Sequence, residues 1–253
     1  MLYIVGIGLS PGHLTQEALE AFRASESVYL DGYTSAYSSG GPEGLEKAAG
    51  KAVEVLDRKA VEEEFAKILE EAKGKNVALA VYGNPLNATT HIQLLLDARK
   101  AGVKAAAIAG ISIFDFMAFT GLERYKFGRT TSIVFHEDNY EPEGFYDAIL
   151  ENKKLGLHTM CLLDVRNEEG RMMGITHAIS LLERIEERRE KSVLSESIAV
   201  GMAGMGSSAQ QVRAGTMEQL KSCGFTAYPQ SLIVCGKLNE KEIEALRELS
   251  GLE

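Results

Sequence analysis

The amino-acid sequence predicts an α/β protein made of two α/β domains, and three observations carry that expectation. Short apolar runs rich in Val, Ile, Leu and Ala recur along the chain, each closed by a glycine or proline turn and followed by a helical pattern. These runs lack a clean polar alternation, as strands covered on both faces of a parallel sheet do. The 253 residues are 45% hydrophobic and 25% charged, which supplies enough apolar surface for two ordinary cores and excludes a largely disordered chain.

In the first domain, residues 1–5, 28–30, 53–56, 77–82 and 103–108 are the expected strands. A helix over 15–24 places Ala18, Leu19 and Phe22 on one face behind a Thr15 cap. Residues 61–72 do the same with Phe65, Ile68 and Leu69, and a helix over 88–101 stops at Gly102. A glycine turn at Gly110 then interrupts the pattern, so the domains are expected to be 1–112 and 113–253. The second is expected to hold helices over 113–119, 144–152, 174–190, 208–220 and 240–249. Its strands are expected over 130–135, 157–165, 198–202 and 231–234.

Composition narrows function. With 27 basic and 36 acidic side chains the formal charge is −9, so diffuse attraction to nucleic acid or to an anionic membrane is not expected. Residues 105–121 are apolar, but Ser112, Asp115 and Thr120 interrupt them and Gly110 breaks them, which reads as strand, turn and helix rather than a bilayer span. Residues 1–5 lack the basic start of a secretory signal, and the cytoplasm is the expected compartment. Cys161, Cys223 and Cys235 show no CxxC spacing, so neither a disulfide framework nor a metal site is expected.

Four groups of residues could carry chemistry. Gly6-Ile7-Gly8-Leu9-Ser10-Pro11-Gly12 is a strand opening into a glycine turn, but the dinucleotide fingerprint needs a glycine where Pro11 stands. Gly83-Asn84-Pro85-Leu86-Asn87-Ala88-Thr89-Thr90-His91 lies where a buried strand meets a helix, the end of an open α/β sheet that faces ligands. By its own residues it reads first as a capped turn, with Asn87 or Thr89 as the helix cap and His91 as a packing or hydrogen-bonding residue. Ser112 and Ile113 follow the next strand, and Arg124, Lys126 and Arg129 gather positive charge that suits a carboxylate-bearing substrate or an acidic partner, although basic residues in a connecting segment are more often salt-bridged surface. Leu163-Asp164, Gly201 to Ser207 and Gln230-Ser231-Leu232 edge the strands of the second domain. No serine elbow, phosphate-binding lysine loop or paired-histidine metal motif occurs, so the chemistry needs no built-in nucleophile.

In this order, these segments resemble the diphthine synthase family of the tetrapyrrole methylase superfamily, and the likeness runs through the whole chain. Val5-Gly6-Ile7-Gly8-Leu9 with Leu14-Thr15 is similar to the superfamily at large. Tyr33-Thr34-Ser35, the stretch from Gly83 to His91, and Tyr125-Lys126-Phe127-Gly128-Arg129 are similar to diphthine synthases in particular. Asp164, Met202-Ala203 and Ser231-Leu232-Ile233 continue the match.

The resemblance implies a class III methyltransferase fold with S-adenosylmethionine in the cleft between the domains, in a homodimer, with no metal. It implies methylation of the aminocarboxypropyl group carried by one histidine of translation elongation factor 2. Carried over by position, the cofactor contacts are Leu9, Asn84, Asn87, Ser112, Ile113, Leu163, Met205 and Gln230. The chain departs from the family pattern at Asn84, usually Asp, at Gly204, usually Arg, and at Gln230, commonly His. No general base is implied, and Tyr33, Arg124 and Arg129 are candidates for orienting the acceptor. Two other readings stay open: a corrin or other tetrapyrrole as acceptor, and a binding protein of the same fold without catalysis. A valine at Gly8 is expected to block the cofactor by filling the space beside the turn.

Overall fold

The structure, a computed structural model, describes residues 1–253. It divides into two compact units, Met1–Asp115 with Arg166–Arg171, and Phe116–Val165 with Met172–Glu253. The first unit therefore runs a few residues past the expected division and takes in a short segment from later in the chain.

The first unit contains, in order, β1 (Leu2–Gly6), α1 (Gln16–Ala24), β2 (Ser27–Asp31), α2 (Pro42–Ala49), β3 (Glu54–Leu56), α3 (Arg58–Glu62), α4 (Ala66–Gly74), β4 (Val77–Val81), α5 (Ile92–Lys100) and β5 (Ala105–Ile108). Its five strands form one parallel sheet in the order β3-β2-β4-β1-β5. Alternate residues of each strand feed two cores, because successive side chains point to opposite faces. Leu2, Ile4, Val77, Leu79 and Val81 pack with Ile68 and Leu69 of α4 and with Leu94 and Ala98 of α5. Val5, Ala78 and Ala80 pack on the other face with Phe22 of α1 and Leu45 of α2. Thr15 caps α1 by accepting the Ala18 N–H at 3.0 Å, as its position predicts.

Two helices depart from expectation. Residues 61–72 are not one helix but the end of α3, a break, and α4. α5 starts at Ile92 rather than at residue 88, because the Asn84 and Thr89 side chains bond their own backbone, to Leu86 N–H and to the Pro85 carbonyl. Such local bonds compete with the helical ladder.

The second unit begins with α6 (Ile113–Phe116), which spans the division, and continues with β6 (Thr131–Ile133), α7 (Gly144–Lys154) and β7 (Thr159–Leu163); the short pair β8 (Val165–Arg166) and β9 (Arg171–Met172) brackets the Arg166–Arg171 segment that belongs to the first unit. After these come α8 (Ile175–Arg188), β10 (Ile198–Ala203), β11 (Gln211–Thr216), α9 (Met217–Ser222), β12 (Gln230–Val234) and α10 (Glu240–Ser250). Its sheet is mixed, in the order β11-β10-β12-β7-β6, with only the β6–β7 pair parallel. The helix expected over 208–220 is corrected: residues 211–216 pair antiparallel with β10, and only 217–222 are helical. Thr216 opens that helix with a capping box, accepting the Gln219 N–H while the Gln219 side chain accepts the Thr216 N–H. The unit's core gathers Tyr146 and Ile149 of α7, Ile179 and Leu182 of α8, and Cys161 and Leu232 of the sheet.

Candidate functional site

Because β1, β4 and β5 are parallel, the segments that follow them lie at one end of the first sheet. Gly6, Gly83 and Gly110 let those segments close on one another: a Cβ on Gly6 would stand 2.5 Å from Gly110 N and 2.8 Å from the Gly83 carbonyl oxygen. Gly8 N–H donates to the Gly83 carbonyl at 3.2 Å, and Gly83 N–H returns a bond to the Gly8 carbonyl at 2.9 Å. Five of the eight expected cofactor residues, Leu9, Asn84, Asn87, Ser112 and Ile113, are thereby gathered at this end. Asn87 Nδ2 donates to Ser112 Oγ at 3.2 Å, and Asp115 Oδ2 accepts the Ser112 N–H at 2.7 Å. The Leu9 carbonyl is already taken by the Ser38 N–H and hydroxyl, at 2.9 and 2.8 Å.

The Gly8 expectation needs correction. Gly8 has φ +74°, and a Cβ there would meet His13 Cβ at 2.3 Å. The side chain that fills this space belongs to the protein, so the glycine is required by the fold before any ligand is considered.

Beside this end, Asp31 closes β2 and is fully buried. Its Oδ1 accepts the Tyr33 and Thr34 N–H groups at 3.1 and 3.2 Å, and its Oδ2 accepts the Thr34 hydroxyl at 2.7 Å. His91 Nε2 lies 3.0 Å from the same Oδ2, off the line of a hydrogen bond, and the buried Nδ1 has no hydrogen-bond partner. The Asp31–His91 contact joins Tyr33-Thr34-Ser35 to the stretch ending at His91. Sequence reasoning passed over Asp31, although its place at the end of a buried strand, just before a turn, was a usable signal. Tyr33 is not free to orient a substrate through its hydroxyl, which donates to Glu62 Oε1 at 2.9 Å. Burial, followed by that bond, pushes its phenol well up. Asn167 Nδ2 donates to the Gly32 and Ser35 carbonyls at 2.9 and 2.6 Å, which seats the late segment on the same loop.

In the second unit, Leu163, Met205 and Gln230 stand at one end of the mixed sheet, since Gln230 pairs with Ala203 and the adjoining Ser231 with Leu162. Leu163 and Met205 are buried apolar side chains. The Gln230 side chain is committed to the fold: its Oε1 accepts the Ile175 N–H at 2.8 Å and its Nε2 donates to the Ala227 carbonyl at 3.0 Å.

The basic group divides. Lys126 is bound to Glu242 and donates to the Lys237 carbonyl at 2.7 Å, so it belongs to the packing of α10. Arg124 and Arg129 remain exposed. Both buried thiols are raised by burial, Cys161 strongly and Cys235 to about 12, which makes them poor nucleophiles.

Comparison with known proteins gives a consistent result. The model of the tetrapyrrole (corrin/porphyrin) methylases matches residues 1–221. Diphthine synthase of Methanococcus maripaludis (strain C5) is 38% identical over 251 residues, covering 98% of each chain. The "Probable diphthine methyl ester synthase" of Arabidopsis thaliana is 37% identical over 268 residues, covering 97% of each. A crystal structure of diphthine synthase superposes with a TM-score of 0.89 at 32% identity, covering 100% of this chain and 96% of the other.

Proposed function

We propose, because the chain belongs to the tetrapyrrole methylase family and within it to the diphthine synthases, that it methylates the aminocarboxypropyl-histidine of translation elongation factor 2, using S-adenosylmethionine. The near full-length match to diphthine synthases carries this reading. S-adenosylmethionine supplies an activated methyl group. The acceptor's deprotonated amine nitrogen bonds to the methyl carbon, the carbon–sulfur bond breaks, and the amine proton passes to water.

The residues at the end of the first sheet fit such a cofactor by their chemistry. Asn84, Asn87 and Ser112 are neutral donors and acceptors suited to ribose hydroxyls and an amino-acid group. The chain's task is then positioning: holding nitrogen, carbon and sulfur in line is worth up to about 7–11 kcal/mol in well-oriented cases.

The partner is the translation factor, and cytoplasmic localisation follows from where that factor works. Homodimerisation is part of the same reading, and Ile92 and Leu96, one turn apart and about half exposed on α5, suit a face of that kind. The test incubates the purified protein with labelled S-adenosylmethionine and elongation factor 2 bearing the unmethylated intermediate. Label on the factor is expected; an unlabelled factor, with cofactor binding intact, overturns the proposal.

A further inference from the structure

We propose that a cavity beside α8, within the second unit, receives the methyl acceptor, and that Arg184 reads the acceptor's carboxylate; this assignment rests on the activity proposed above. The cavity holds about 490 Å³, within the range of small-molecule pockets, about 300–1,000 Å³. One wall is aromatic and thioether, from Phe135, Met172, Phe225 and Tyr228. The other is a stripe of α8, where His177, Ser180 and Arg184 share a face by helical spacing. His177 stands edge-on to Phe135, with ring centroids 5.2 Å apart at 79°.

The charge is what selects the ligand. In a chain of net charge −9, the fixed charge lining this cavity is a cation, Arg184. The other arginines of the same turns are committed: Arg188 to Glu141 and Glu143, and Arg189 to Glu143 and Asp147. Arg184 makes no such pair, and Glu141, the acid on which its charge acts, is already held by Arg188 at 2.9 Å. A guanidinium free at the edge of an aromatic pocket suits a flat ring bearing a carboxylate, since it can donate two parallel hydrogen bonds to that group. The acceptor has both parts, an imidazole and an aminocarboxypropyl arm. Gln230 presets the wall by tying the start of α8 to the segment before β12.

The cofactor is the competing occupant. Of the eight residues expected to hold it, Gln230 alone lines this cavity, and its side chain is spent on the fold. That favours the acceptor.

The experiment measures, for the wild type and for Arg184→Ala, Arg184→Glu and Arg184→Lys, the binding of elongation factor 2 carrying the unmethylated intermediate, without methyl donor. Steady-state constants and S-adenosylmethionine affinity are then measured separately. Arg184 is exposed, so melting temperatures are expected to stay close to wild type. Arg184→Ala is expected to weaken acceptor binding and raise its KM about tenfold, the scale of one charge-assisted contact. Arg184→Glu is expected to lose more and Arg184→Lys to recover part, with kcat and cofactor affinity unchanged. Equal acceptor binding in all four proteins overturns the assignment, as does a parallel loss of cofactor affinity. A wild type that binds the factor through Arg184 yet transfers no methyl group refutes the activity and leaves the cavity assignment standing. Full methylation of the factor by Arg184→Glu, with unchanged KM, does the reverse.

Discussion

Gly8 holds the left-handed backbone of the turn after β1, at φ +74°. Its position in a glycine turn at a strand end suggests a ligand, yet the nearest obstacle to a side chain is His13 Cβ at 2.3 Å, and the backbone is left-handed. Gly8→Val is therefore expected to destabilise the protein by about 2–4 kcal/mol through strain and overlap, lowering the melting temperature by roughly 5–15 °C. An unchanged melt with weakened cofactor binding would return the role to the ligand. The cysteines make a second residue-scale case. Cys161 and Cys235 are buried and Cys223 is partly exposed, so an aromatic disulfide reagent is expected to modify one thiol quickly in the native protein and all three in denaturant. Fast reaction of more than one native thiol would contradict the burial.

At the scale of elements, α10 depends on one buried carboxylate. Burial by itself raises the Glu242 carboxyl, but the Lys126 ammonium, the Asn239 and Glu123 N–H groups and the His158 ring outweigh it and bring it down to about 2. His158 accepts the Gly236 N–H through Nδ1 at 3.0 Å, so its Nε2 carries the proton given to Glu242 at 2.9 Å. Burial also holds that imidazole below its usual range, which keeps it neutral at pH 7. Because the folded carboxyl lies below its ordinary value of 4.5, its contribution is complete above about pH 4.5 and is lost as the pH falls towards 2. Denaturant melts of the wild type are expected to lose a few kcal/mol across that window from this group. Glu242→Gln is expected to start about 3 kcal/mol lower at pH 7, as a broken buried pair does, and to lack that part of the pH dependence. Equal slopes for the two proteins would remove Glu242 from the account. Other elements were legible to differing degrees. Thr15 and the 3.6-residue spacing revealed α1, and Pro42 with Gly50 marks α2 for a reader who weighs proline at the start and glycine at the end. β11 was hidden because Gln211 to Thr216 is no more strand-like than helical until β10 lies beside it.

For the whole molecule, the proposed activity requires the native protein to bind S-adenosylmethionine and the unfolded chain not to. A ligand at about 100 times its dissociation constant then adds about 2.7 kcal/mol to stability, and the melting temperature is expected to climb with cofactor concentration. A midpoint that stays still under saturating cofactor would count against the cofactor reading without touching the fold. The amino-acid sequence alone determined the α/β class, most strand and helix positions, the family, and which turns follow buried strands. The class, the elements and the turns are written in neighbours two to four residues apart, where side-chain period and turn chemistry act directly, and the family in the order of motifs along the whole chain. Tertiary structure alone decided that Lys126 serves Glu242, 116 residues away, that Asp31 meets His91, and that Arg166–Arg171 packs with the first unit. Such pairings depend on the path the chain takes through space, and a charge or an amide has the same appearance in a sequence whether its partner is water or a buried group brought from the far end of the chain.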